Sequence, residues 1–109
     1  MNANEVKEII EKEIAGRRVA SNWHDVDVRA CLVEPRKISA QNTFPHPGRP
    51  EPKTLDLWLV LEELPGENDG YLILFDQDLH EFGLGIWGKG GGIVFIGYYG
   101  SFLSTLQGM

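Results

Sequence analysis

Thr54-Leu55-Asp56-Leu57-Trp58-Leu59-Val60-Leu61-Glu62 is the stretch whose reading decides the fold. Leu55, Leu57, Leu59 and Leu61 alternate with Asp56, Trp58, Val60 and Glu62. That period of two belongs to a strand with one face buried. Downstream, Pro65-Gly66-Glu67-Asn68-Asp69-Gly70 is turn chemistry. It predicts a second strand at 71–76, a third at 81–87 and a fourth at 93–99. Short connections between consecutive strands make them antiparallel neighbours.

Upstream, Val6, Ile9, Ile10 and Ile14 recur at helical spacing, which predicts an amphipathic helix over 3–15. Asn2 caps it, Glu5 completes a capping box, Glu8 and Lys12 pair one turn apart, and Gly16 stops it. Residues 26–34 suit a strand that Pro35 closes or bulges, with a less regular continuation over 37–43. Pro45, Pro47, Pro50 and Pro52 turn 44–53 into an extended surface loop, read equally as a functional loop or an edge cover. Past the last strand, Gly100 breaks the chain, Ser101 caps, and Phe102, Leu103 and Leu106 form a short helix. The expectation is one α+β domain over 1–109. Its N-terminal helix packs on an antiparallel sheet of about five strands with a C-terminal meander, and a short C-terminal helix follows.

The 109 residues suffice for one core without staples. With 42% hydrophobic and 24% charged residues the composition is ordinary for a globular domain. The single cysteine, Cys31, excludes an internal disulfide, and it reads as a small buried hydrophobe in mid-strand. Apolar runs are strand-sized, so no membrane span is expected. The first residues carry no basic start and no apolar core of a secretory signal. A cytoplasmic protein is the expectation.

Charge is unevenly divided. Residues 1–53 hold nine Lys/Arg against eight Asp/Glu, whereas 54–109 hold Lys89 against eight acids, a balance of −7. Such a half repels phosphate backbones, which argues against nucleic-acid binding, and steers a basic protein or a cation. Solubility alone is the plainer explanation.

Few residues suggest catalysis. Gly88-Lys89-Gly90-Gly91-Gly92 lacks the Ser/Thr and the following helix of a phosphate loop and reads as a hairpin turn. Asp76, Asp78 and His80 would share a face if extended. They lack the glycine and distal glutamate of a calcium loop and the remote ligand set of structural zinc. A turn in which Asp76 or Asp78 accepts backbone N–H groups is the simpler reading, and no metal or cofactor is expected. His24-Asp25, with Asp27 nearby, offers a base and its orienter. Ser21 and Ser101 carry no nucleophile-elbow pattern. A nucleophilic Cys31 served by His24 or His46 is a minor reading. An enzyme is not expected.

Trp58 falls opposite the leucine row, alongside acids, and is read equally as an exposed anchor or as covered by a second layer. Tyr98 and Tyr99 point to opposite faces. Aromatics flanked by carboxylates are the residue types of binding hot spots. Asp56, Trp58, Glu62, Glu63, Asp76, Asp78 and Glu81 are therefore the candidate partner-binding residues.

Leu57–Glu63, Gly70–Asp76, Phe82-Gly83-Leu84-Gly85 and Tyr99–Leu106 together resemble small bacterial proteins of the toxin-immunity kind, over about half the chain. The resemblance implies an acidic, cytoplasmic, non-enzymatic protein that covers the active face of a basic toxin. The alternative expectation is a small-molecule or metal-binding regulatory homodimer paired through Trp58, Val60 and the Tyr98/Tyr99 pair.

Overall fold

A computed structural model describes residues 1–14, 31–42, 54–67, 69–88 and 90–109. Helix α1 spans Ala3–Ile14, and Asn2 Oδ1 accepts the Glu5 N–H at 2.9 Å as its cap. Val6, Ile10 and Ile14 are its buried stripe. Five strands follow: β1 Leu32–Asn42, β2 Thr54–Leu64, β3 Asp69–Asp76, β4 Glu81–Trp87 and β5 Ile93–Gly100. Helix α2, Phe102–Gln107, ends the chain. Residues 15–30 and 43–53 lie outside the described set. The first part of the expected 26–34 strand, the Gly16 stop and the proline loop lie there with them.

Consecutive strands pair antiparallel, as the short turns from β2 through β5 require of those four. The sheet does not stay open, however. Ala40, Gln41 and Asn42 pair in parallel with Ile93, Val94 and Phe95, closing a five-stranded barrel. Parity dictates the parallel seam, because in an up-and-down meander of five the first and last strands run the same way. Closure needs curvature, and four bulges in β2–β3 and β4–β5 supply it. The expected α+β arrangement, an N-terminal helix on an antiparallel sheet with a short C-terminal helix, is present, and closure makes that sheet a barrel with the helices packed outside.

Of the two readings of Pro35, the bulge is the one found: β1 is irregular there and continues to Asn42. Leu32 pairs with Leu61 and Arg36 with Leu59, so Val33, Glu34 and Pro35 oppose Val60 alone. Proline's missing N–H falls in this irregular stretch, where no ladder bond is lost. Cys31 precedes β1 and is not mid-strand; it is buried, and its thiol donates to the Glu63 carbonyl at 3.5 Å.

Two cores result. Ala40, Leu57, Leu59, Leu72, Leu74, Ile93 and Phe95 fill the barrel. Val6, Ile10 and Ile14 of α1, with Phe102 and Leu106 of α2, cover Trp58, Val60, Leu61, Ile73, Phe75, Phe82 and Leu84 on its outside. Leu61 therefore leaves the leucine row. The bulge between Leu59 and Leu61 inserts Val60 and turns Leu61 to the helix side, opposite Ile73. Inside the barrel, Gly83 makes room for an aromatic ring. A Cβ there would sit 2.5 Å from the Gly97 carbonyl oxygen and 2.6 Å from the Phe95 ring.

The two helices lock onto each other at one corner. Ser101 Oγ accepts the Ser104 N–H at 3.0 Å, the expected cap. Glu13 of α1 accepts from the Phe102 and Leu103 N–H groups at 3.1 and 3.4 Å, capping α2 from another element. Lys7 of α1 pairs with Glu34 of β1, and the expected Glu8–Lys12 pair is not among the ion pairs of the described residues.

Candidate docking surface

The ladder register sorts the acidic residues of the second half into two groups. The β2–β3 turn carries Glu63, Glu67 and Asp69 at one end of β3, while the β3–β4 turn carries Asp76, Asp78 and Glu81 at the other. Eight residues of β3 separate the turns by about 23 Å. Asp56 belongs with the second group, since Trp58 pairs with Phe75 and Asp56 lies two residues beyond, toward the 77–80 turn. There is no single acidic face.

At the first end, Glu63 is held locally. Its Oε1 accepts the Tyr71 N–H at 3.1 Å. Asp69 Oδ1 accepts the Gly70 N–H at 2.9 Å, and Leu64 is 45% exposed beside it.

At the second end, Asp76 organises the turn. Its Oδ1 accepts the Asp78 and Leu79 N–H groups at 2.9 and 3.2 Å, the Asx-turn role expected of it. Its Oδ2 accepts the Tyr98 hydroxyl at 2.6 Å, tying the turn to β5. Asp76 is buried, and its oxygens are occupied by three donors. It opposes Glu81 across the ladder, a like-charge pair that these donors offset. His80 completes the turn with φ 53°, a left-handed conformation unusual for a side chain, its ring edge-on to Phe75 at 5.4 Å. Leu79 at the tip is 56% exposed, the most exposed large apolar side chain described.

Three of the candidate residues are buried: Asp76, Trp58 and Glu62. Trp58 is only 7% exposed because α1 and α2 cover its side of the sheet. Its Nε1–H donates to Gln77 Oε1 at 2.9 Å, and Lys37 Nζ lies 5.4 Å from the ring centroid. Of the two readings of Trp58, exposed anchor or covered residue, the covered one is found: it is a core residue whose indole N–H is tethered to Gln77. Glu62 is also buried, and the Val60 bulge has moved it opposite Leu72, in a row of the barrel interior. Asp56 and Asp78 are exposed and Glu81 is half-buried, so these three carboxylates remain available at the second end. Tyr98 packs on the interior cluster, while Tyr99 is 45% exposed and lies against Gly108. The homodimer face expected through Trp58 and Val60 is the one the helices cover.

The described residues bring no three His, Cys, Asp or Glu side chains together as a metal set. Residues 77–80 form a turn, so Asp76, Asp78 and His80 do not share an extended face. His24, Asp25, Asp27, Ser21 and His46 lie outside the described residues. No described helix is long and apolar enough to cross a membrane. The 88–92 segment joins β4 to β5 as the expected hairpin, with the Gly88 N–H donating to the Gly92 carbonyl at 2.6 Å.

No family model, curated protein or solved structure matches this chain. The surface is therefore read from its own chemistry. It is a hydrogen-bonded turn presenting Leu79 and Asp78, flanked by Asp56 and Glu81. Leu79 was legible as a turn residue only; a lone leucine among polar neighbours carries no sign of its exposure.

Proposed function

We propose that this chain is a non-enzymatic binding protein that docks a basic protein through the β3–β4 end of its barrel. In its sharpest form the proposal is a bacterial, cytoplasmic immunity protein covering the active face of a toxin. The observation that carries it is the Gln77–His80 turn, held by three hydrogen bonds to Asp76, with Leu79 exposed at the tip. A turn ordered before binding loses little entropy on association. Leu79 offers an apolar contact, and Asp56, Asp78 and Glu81 steer and orient a cationic surface. Support also comes from the imbalance of the second half, whose one basic residue is Lys89.

The test compares wild type with a triple charge reversal, Asp56→Lys, Asp78→Lys and Glu81→Lys, as baits in lysate of the native host. Wild type is expected to retain a basic protein at low salt and release it at moderate salt, while the triple variant retains none. Equal recovery by both baits would refute docking at this end.

A further inference from the structure

The corner where the two helices meet holds a cavity of about 400 Å³, lined by Glu13 of α1 and by Ser101, Leu103, Ser104 and Gln107. That volume is within the size range of ligand pockets. The cavity lies beside the β3–β4 turn. Gly100 pairs with Phe82, so Ser101 and Glu81 are neighbours at the same end of the barrel, about 5–10 Å apart by strand spacing.

Hydrogen bonding decides what the cavity can take. The first four N–H groups of α2 are all used. Phe102 and Leu103 donate to Glu13, Ser104 to Ser101 Oγ and Thr105 to the Ser101 carbonyl. An anion would find no backbone donor there and would meet the Glu13 carboxylate. The lining holds no cationic side chain. Each Glu13 oxygen takes one of those N–H groups and keeps a second acceptor position, and the Ser104 hydroxyl and the Gln107 carbonyl add others. Leu103, half-buried, is the apolar wall.

A carboxylate, several spread acceptors and one apolar wall suit a planar group with many N–H donors on an aliphatic stem, which is a guanidinium. An ammonium is a compact point charge with three donors and reaches fewer of these acceptors. We propose that the cavity takes an arginine side chain of the basic partner, its guanidinium donating to Glu13 and its stem lying on Leu103. The assignment to a partner rests on the docking reading, whereas the affinity for a guanidinium does not.

Ethylguanidinium is the probe, added to the full chain and followed in 1H–15N spectra against sodium chloride of equal ionic strength. It should shift the Leu103, Ser104 and Gln107 signals saturably, and ethylammonium should bind about tenfold more weakly. Glu13→Gln keeps an oxygen to cap α2 but removes the charge, and should weaken ethylguanidinium about tenfold. No saturable shift, or equal affinity in folded Glu13→Gln, overturns the inference and leaves docking at the turn standing. Gln107→Lys, at an exposed position, puts a cation on the rim. It should lower capture of the basic partner from host lysate about fivefold, while Glu67→Lys at the other end does not. If ethylguanidinium binds and Gln107→Lys captures as well as wild type, the cavity serves a free guanidino compound and the partner assignment is overturned. Wild type that captures nothing refutes the docking reading and the partner assignment with it.

Discussion

Asp76 shows how one buried carboxylate sets a local structure. Its three donors come from the turn it closes and from Tyr98 on β5. Tyr98→Phe removes the only one of the three that is a side chain, leaving the buried Oδ2 short of a bond. The expected cost is about 1–3 kcal/mol in urea denaturation, as for a hydrogen bond to a charged group; a loss below a few tenths would show that the hydroxyl is not needed. Gly83 is the opposite case, where absence of a side chain matters. Gly83→Ala presses a methyl group against the Gly97 carbonyl and the Phe95 ring. The expected destabilisation is about 1–3 kcal/mol, read from the same denaturation curves. The Asx role of Asp76 was legible because Asp before a turn has few other uses. Its link to Tyr98 spans 22 residues and was not. Trp58 was undecidable from alternation, which assigns a face but does not say what covers it.

Among the elements, α1, β4 and α2 follow their local signals closely because caps, turns and periodicity agree there. β2 departs from its pattern at Val60. Unbroken alternation through Leu61 and Glu62 predicts one leucine row, but a bulge shifts every residue after it to the other face. That shift is why Leu61 lies under the helices and Glu62 in the barrel. β1 bulges at Pro35, one of the two readings its sequence offered, since an irregular stretch accommodates a residue with no N–H to donate. The cap supplied by Glu13 could not be read at all, because Glu13 and Phe102 are 89 residues apart. Glu13→Ala should leave the Phe102 and Leu103 N–H groups without a side-chain acceptor. α2 is six residues long and has little stability of its own. Faster hydrogen exchange over Phe102–Gln107, with a loss of about 1 kcal/mol, is expected; unchanged exchange there would show that Ser101 suffices.

At the scale of the molecule, helices on a meander were legible, and closure was not. Whether five strands stay open or curl into a barrel depends on bulges and twist, which alternate patterning does not encode. The closing seam is three pairs long, against six or seven in the β1–β2, β3–β4 and β4–β5 ladders. Amides of Ala40–Asn42 and Ile93–Phe95 that bond across it should exchange before those between β3 and β4; the reverse order would place the weak point elsewhere. The charge imbalance was legible as a sum, but its division between two ends about 23 Å apart required the register. That division makes the docking proposal directional. The most direct test is the association rate of the captured basic partner, measured at low and moderate salt for two sets of charge reversals. Reversing Asp56, Asp78 and Glu81 should slow association about tenfold or more at low salt and flatten its salt dependence, while reversing Glu67 and Asp69 leaves the rate close to wild type. Equal slowing by both sets would mean that net charge alone steers the partner, and slowing by the Glu67 and Asp69 set alone would place the docking surface at the wrong end.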